Sequence, residues 1–247
     1  MKRFGCGVLL VLVVACDRHT PTAPSAPAPA PPPAVTPVPE LPPITVSVSG
    51  TVLEEGGMPV EGATIVGYDC AGGPCTPKSV VTDRNGLYRL SLDLAARLAV
   101  PGAFVRVTKV GYEDSDHFIG FPGFRDTSKD LGLYKPRRVT PGDTVRLTLG
   151  PVDPLCGFEG EYACRRVRIT SPAPGRLALD AVPDKPDVQF GLTIGPITYG
   201  FPFQPPPAHL SILVASRQEI VLDVLVYWGL AASASQAVTL TTSLEPQ

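Results

Sequence analysis

From Ile44 onward, apolar residues recur in short runs of period two, and Gly, Pro, Asp or Asn closes each run. Alternation of this kind sends successive side chains to opposite faces of an extended chain, so the element it specifies is a half-buried strand. Strands are expected at 45–53, 63–68, 79–82, 87–92, 103–110 and 143–149, then at 164–170, 176–182, 188–194, 210–215, 219–228 and 237–244. No helical period longer than 90–99 competes with them. Each set of six runs over about 100 residues, the size of a β-sandwich. Gly150-Pro151-Val152-Asp153-Pro154 separates the sets, because Pro lacks a backbone donor and resists strand continuation. The expected fold class is all-β, with two β-sandwich domains in tandem over residues 45–150 and 151–247.

The segment before Ile44 cannot join either core. Eleven of the 24 residues from 20 to 43 are Pro, and Glu40 is the only charged one. Such a stretch favours polyproline II geometry and could hold a folded domain up to roughly 70 Å from its anchor. Ahead of it, Lys2 and Arg3 precede the apolar run Val-Leu-Leu-Val-Leu-Val-Val at 8–14, which ends at Ala15-Cys16. The run is too short for a transmembrane helix and fits an export signal. Val13-Val14-Ala15-Cys16 resembles a bacterial lipobox. That resemblance implies cleavage before Cys16 and acylation of its thiol, with residues 1–15 as signal peptide and 16–44 as a Pro-rich tether. It implies an exported chain, lipid-anchored at the periplasmic or cell-surface face of the envelope, with the membrane as a partner through its N-terminal lipid. Two or more acyl chains make such attachment stable, at about 0.8 kcal/mol per buried CH₂.

Charge narrows the remaining partners. With 21 Lys+Arg against 23 Asp+Glu the formal net charge is -2, leaving no basic surplus to neutralise phosphates. A nucleic-acid partner is excluded on that ground.

Within residues 45–150, Ser49-Gly50-Thr51-Val52 leads through 56–63 into a strand, and Thr82-Asp83-Arg84-Asn85-Gly86-Leu87-Tyr88-Arg89-Leu90 follows. Val105-Arg106-Val107 and Lys109-Val110-Gly111-Tyr112 come next. This half resembles the carboxypeptidase regulatory-like domain, a transthyretin-like sandwich. A tight turn is expected at Asp83, which can accept from amides two residues on, and at Asn85 and Gly86, which tolerate positive φ. Tyr88 and Leu90 should share one face, with Val105 and Val107 as partners from another strand. In the second half, the run 175–179, the alternation at 188–192, the strand at 220–226 and the closing 238–243 resemble the pre-peptidase C-terminal domain, a jelly-roll-like sandwich.

Cys6 lies in the signal and Cys16 is the expected lipidation site, which leaves Cys70, Cys75, Cys156 and Cys164 as one close pair per half. In an exported chain this spacing predicts Cys70–Cys75 and Cys156–Cys164 disulfides, worth about 2 and 2.6 kcal/mol in the loop-entropy model. Neither gap has the spacing of a thiolate zinc site. No G-x-S-x-G or H-E-x-x-H motif occurs. His117, in Asp114-Ser115-Asp116-His117, reads as part of a solvated loop, with a metal cluster involving Asp126 or Asp130 as the alternative. Glu159 and Glu161 form a carboxylate pair whose separation the sequence does not fix. No catalytic residue, metal or cofactor is therefore expected, and the chain reads as a noncatalytic binding or scaffolding module at the envelope, or as an accessory subunit of a hydrolase. The candidate ligand-binding residues are Tyr199, Phe201 and Phe203 on an aromatic loop and Tyr227-Trp228 at a strand end, suited to an envelope glycan or protein partner.

Overall fold

The computed structural model describes residues 41–69, 75–96, 98, 101–156, 162–185, 189–194, 207–227 and 235–246. Alternation is realised as strand after strand, and the chain is all-β. The first sandwich contains β1 (Ile44–Leu53), β2 (Thr64–Asp69), β3 (Thr76–Val81), β4 (Leu87–Leu94), β5 (Gly102–Thr108), β6 (Ser115–Gly120), β7 (Thr127–Ser128) and β8 (Leu131–Gly132). In β4, Tyr88, Leu90, Leu92 and Leu94 are buried while Leu87, Arg89 and Ser91 face water. One sheet runs β4-β1-β7 with β8 also on β1, and the other runs β3-β2-β5-β6. Between them Val48, Val52, Ile65, Leu92, Val107 and Leu131 are completely buried.

The second sandwich contains β9 (Arg137–Val139), β10 (Thr144–Leu149), β11 (Leu155–Cys156), β12 (Tyr162–Thr170), β13 (Gly175–Pro183), β14 (Phe190–Ile194), β15 (Ala208–Val214), β16 (Glu219–Tyr227) and β17 (Gln236–Pro246). Its sheets run β10-β17-β13-β15 and β11-β12-β16-β14, with β9 added to β12. Phe190, Leu177, Leu179, Ile169, Leu222 and Leu240 fill the space between. Glu40–Gln247 form one compact unit.

Two expectations need correction. The strand expected at 143–149 as the last of the first sandwich is β10, an edge strand of the second: Leu147 pairs with Val238 of β17, and both Leu147 and Leu149 belong to the second core. The change of sandwich therefore falls between β8 and β9, ahead of Gly150. His117 is not in a solvated loop. It lies in β6, completely buried, with Nε2 3.1 Å from both Ser115 Oγ and the Gly132 carbonyl. Asp126 and Asp130 are used elsewhere: their Oδ1 atoms accept from the Ser47 and Thr51 amides, each at 2.8 Å, which fastens the β7–β8 segment along β1.

The turn before β4 forms largely as expected. Asp83 Oδ1 accepts from the Asn85 and Leu87 amides at 2.8 and 2.9 Å, and Gly86 closes the turn with φ +72°. Asn85 does not share the positive φ. A Cβ on Gly86 would stand 2.8 Å from the Val52 carbonyl oxygen. Gly86→Ala is therefore expected to cost at least about 1–2 kcal/mol for the left-handed backbone alone, read as a lower urea midpoint with unchanged slope.

Candidate functional site

The edge of β12 is paired by β11 and the Pro154 carbonyl as far as Cys164 and by β9 from Val167 onward, which leaves Arg165 and Arg166 between the two partners. A cleft of about 250 Å³ opens at that notch, with walls from both sandwiches. Ser115 and Asp116 of β6, Tyr134 in the connection between sandwiches, and Cys156, Arg165 and Asp223 of the second sandwich are among its lining residues. The lining holds five carboxylates and five cationic groups.

Arg165 is at the centre of this arrangement. It shares its side of β12 with the core residues Ala163, Val167 and Ile169, so its side chain is only 8% exposed. The guanidinium carbon sits 3.3 Å from the centroid of the Tyr134 ring, a cation–π contact strengthened by removal from water. Its Nε lies 3.5 Å from Asp153 Oδ1 and its Nη2 3.3 Å from Glu55 Oε1. The Asp153 contact is an ion pair without hydrogen-bond geometry, and Asp153 Oδ1 and Arg165 Nη1 are both buried with no hydrogen-bond partner. Asp153 Oδ2 accepts from the Gly150 amide. Burial pushes the Asp153 carboxyl up to about 6, although Arg165, Tyr134 and the Gly150 amide all favour its ionised form. Burial likewise raises the Tyr134 phenol, and neighbouring Asp153 adds to that rise.

Most of the other charges around the cleft are paired. Arg106 Nε and Nη2 donate to the two Asp116 oxygens at 2.8 and 3.0 Å, and Arg166 makes the same paired contact with Asp223. Arg168 of the second sandwich donates to Glu113 of the first, holding the Glu113 carboxyl below its usual range. Among the described residues no group of three or more His, Cys, Asp or Glu is arranged to hold a metal ion.

The sequence-predicted residues are only partly visible here. Cys156 and Cys164 are disulfide-bonded with Cα atoms 5.7 Å apart, and both line the cleft. Cys75 is disulfide-bonded, while Cys70 lies outside the described residues. Cys16, Glu159, Glu161, Tyr199, Phe201, Phe203 and Trp228 also lie outside them. Tyr227 ends β16, and its ring packs against Tyr162 with centroids 6.0 Å apart. Sequence reading missed Arg165 and Asp153, because a charged residue in an alternating run looks solvent-facing. It placed Asp153 in a boundary turn with no role.

No family model matches the chain, and no curated protein matches it. Solved structures similar to it include 3-chlorocatechol 1,2-dioxygenase from Rhodococcus opacus 1CP, at 16% identity over 39% of this chain and 61% of that one, TM-score 0.32. Catechol 1,2-dioxygenase from Acinetobacter sp. ADP1 is 14% identical over 38% of this chain and 53% of that one, TM-score 0.31. The dioxygenase domain of a dioxygenase carbohydrate-binding protein fusion from Streptomyces sp. SirexAA-E is 15% identical over 37% of this chain and 80% of that one, TM-score 0.31. The chain thus spans less than two thirds of the first two enzymes. These neighbours are dioxygenases by name, and the expectation that the chain is not an enzyme is withdrawn. Likeness at this level assigns no activity to the chain either.

Proposed function

We propose that the chain is an exported lipoprotein, anchored through acylated Cys16, whose two sandwiches hold a polar ligand in the cleft between them. The cleft carries this reading: it is a concave recess on rigid strands, lined by donors and acceptors of both signs, and ligand sites have that form. The export half rests on the basic, apolar and Ala15-Cys16 sequence of the N-terminus. The Cys156–Cys164 disulfide agrees with an oxidising compartment.

Each half has its own test. Metabolic labelling with an alkyne fatty acid in the native host is expected to mark the full chain, and Cys16→Ala is expected to abolish the label and release the protein from membranes. An unlabelled wild-type chain would contradict the anchor. Native mass spectrometry of the full chain purified from its own envelope is expected to show a bound molecule that is lost in Arg165→Lys, since Lys cannot reproduce the planar contact with Tyr134. Bare protein in both samples would contradict the cleft reading.

A further inference from the structure

The outer face of the β3-β2-β5-β6 sheet carries a row of rings. Phe104 of β5 stands opposite Phe118 of β6, with centroids 5.2 Å apart and planes tilted by 58°. Tyr68 of β2, one residue past the last registered pair Gly67–Val105, falls in line on the other side of Phe104. Tyr68 and Phe104 are 48% and 49% exposed. Their neighbours Gly67, Ala103 and Val105 turn to the opposite side and are buried, so the rings are not core residues. Gly102 leaves room for the Phe118 ring. The Phe118 ring lies over it so closely that an added Cβ would meet Cζ at 2.2 Å.

The row is continuous with the cleft. On the same sheet face, two residues along from Phe104 and Phe118, Arg106 and Asp116 form the next cross-strand pair, and both line the cleft. Charge decides what such a path accepts. The Arg106–Asp116 and Arg166–Asp223 pairs neutralise themselves, and carboxylates and cations are equal in number around the cleft. A polyanion meets carboxylates there and a polycation meets guanidinium groups, so neither gains. A neutral chain of sugar rings matches both parts. Its C–H faces stack on rigid aromatic side chains that lose little entropy on binding, and its hydroxyls both donate and accept, as charged pairs require.

We infer that the Tyr68-Phe104-Phe118 row and the cleft form one binding path for a neutral glycan chain. This rests on the cleft reading and names its ligand class. Affinity electrophoresis of the detergent-solubilised full chain tests it, using gels containing hydroxyethylcellulose, galactomannan, glycogen or mixed-linkage β-glucan. Retardation is expected in at least one of these gels. Phe104→Ala and Tyr68→Ala should each weaken the retardation at least tenfold while leaving the thermal midpoint unchanged, because both side chains are half exposed. Gly102→Ala should weaken it too, by displacing the Phe118 ring. Unaltered mobility of the wild type in all four gels overturns the inference, and so does wild-type retardation of both aromatic variants. A row that instead covers a protein partner gives the first of those results. If the molecule bound in native mass spectra persists while either result is obtained, the glycan inference falls and the cleft reading stands.

Discussion

Arg165→Met is expected to lower the unfolding free energy by about 3–5 kcal/mol, the usual cost of leaving one member of a buried ion pair behind. Arg165 is 8% and Asp153 3% exposed in their side chains, so the abandoned Asp153 carboxylate has no access to water. Glu55 is 56% exposed and is resolvated without much cost. The double variant Arg165→Met/Asp153→Asn should recover most of the loss, because Asn still accepts from the Gly150 amide and carries no charge. Urea titrations of the four proteins measure this coupling directly. A single-variant cost below about 1 kcal/mol, the range of exposed pairs, would mean that water reaches the pair.

A second large effect concerns pH. Burial holds His117 down to about 3, from an ordinary 6.5, with only the Gly132 carbonyl contact and nearby Asp116 opposing it. The folded chain refuses a proton that the unfolded chain binds, so this stability is complete above pH 6.5 and is lost as pH falls toward 3. Asp153 acts in the opposite direction. Its carboxyl is raised from 3.8 to about 6, so the folded chain keeps a proton that the unfolded chain releases, and stability is gained as pH falls through that interval. Each group contributes at most about 1.4 kcal/mol per pH unit. Between about pH 4.5 and 6 the two slopes offset each other, and the wild type should be nearly flat. Asp153→Asn removes one of them, and its unfolding free energy should fall by about 1 kcal/mol per pH unit on acidification. Glu54 and Glu113, whose carboxyls are held low by Lys135 and Arg168, add losses only below 4.5. Flat behaviour of Asp153→Asn across the same range would show that folded His117 takes up a proton, contrary to its burial.

His117 also shows where sequence reading stops. In β4 the alternation of Tyr88, Leu90, Leu92 and Leu94 with polar residues is visible, and the strand follows. In β6 the inward positions are Ser115, His117 and Ile119, two of them polar, so the run reads as a loop. Its inward side becomes clear only once the Gly132 carbonyl and Ser115 hydroxyl are seen to satisfy Nε2. β7 and β8 are two residues each and exist because Asp126 and Asp130 reach the β1 amides, a long-range pairing that no local pattern reports. β10 alternates as well as any strand, but membership of one sheet or another is decided by its distant partner β17. The site was less legible for the same reason. Arg165 depends on Tyr134, Asp153 and Glu55, which meet only when the two sandwiches close, and the Tyr68-Phe104-Phe118 row depends on register across three strands. The Cys156–Cys164 pairing was legible because it is local.

Hydrogen exchange of the full chain, with and without the neutral polysaccharide that most retards it, tests the account at its centre. Amides at 104–106, 116–118 and 164–166 should slow on binding, while the far edge strand Ala208–Val214 stays unchanged. Protection confined to Ala208–Val214, or absent from 164–166, would contradict a ligand site in the cleft between the sandwiches.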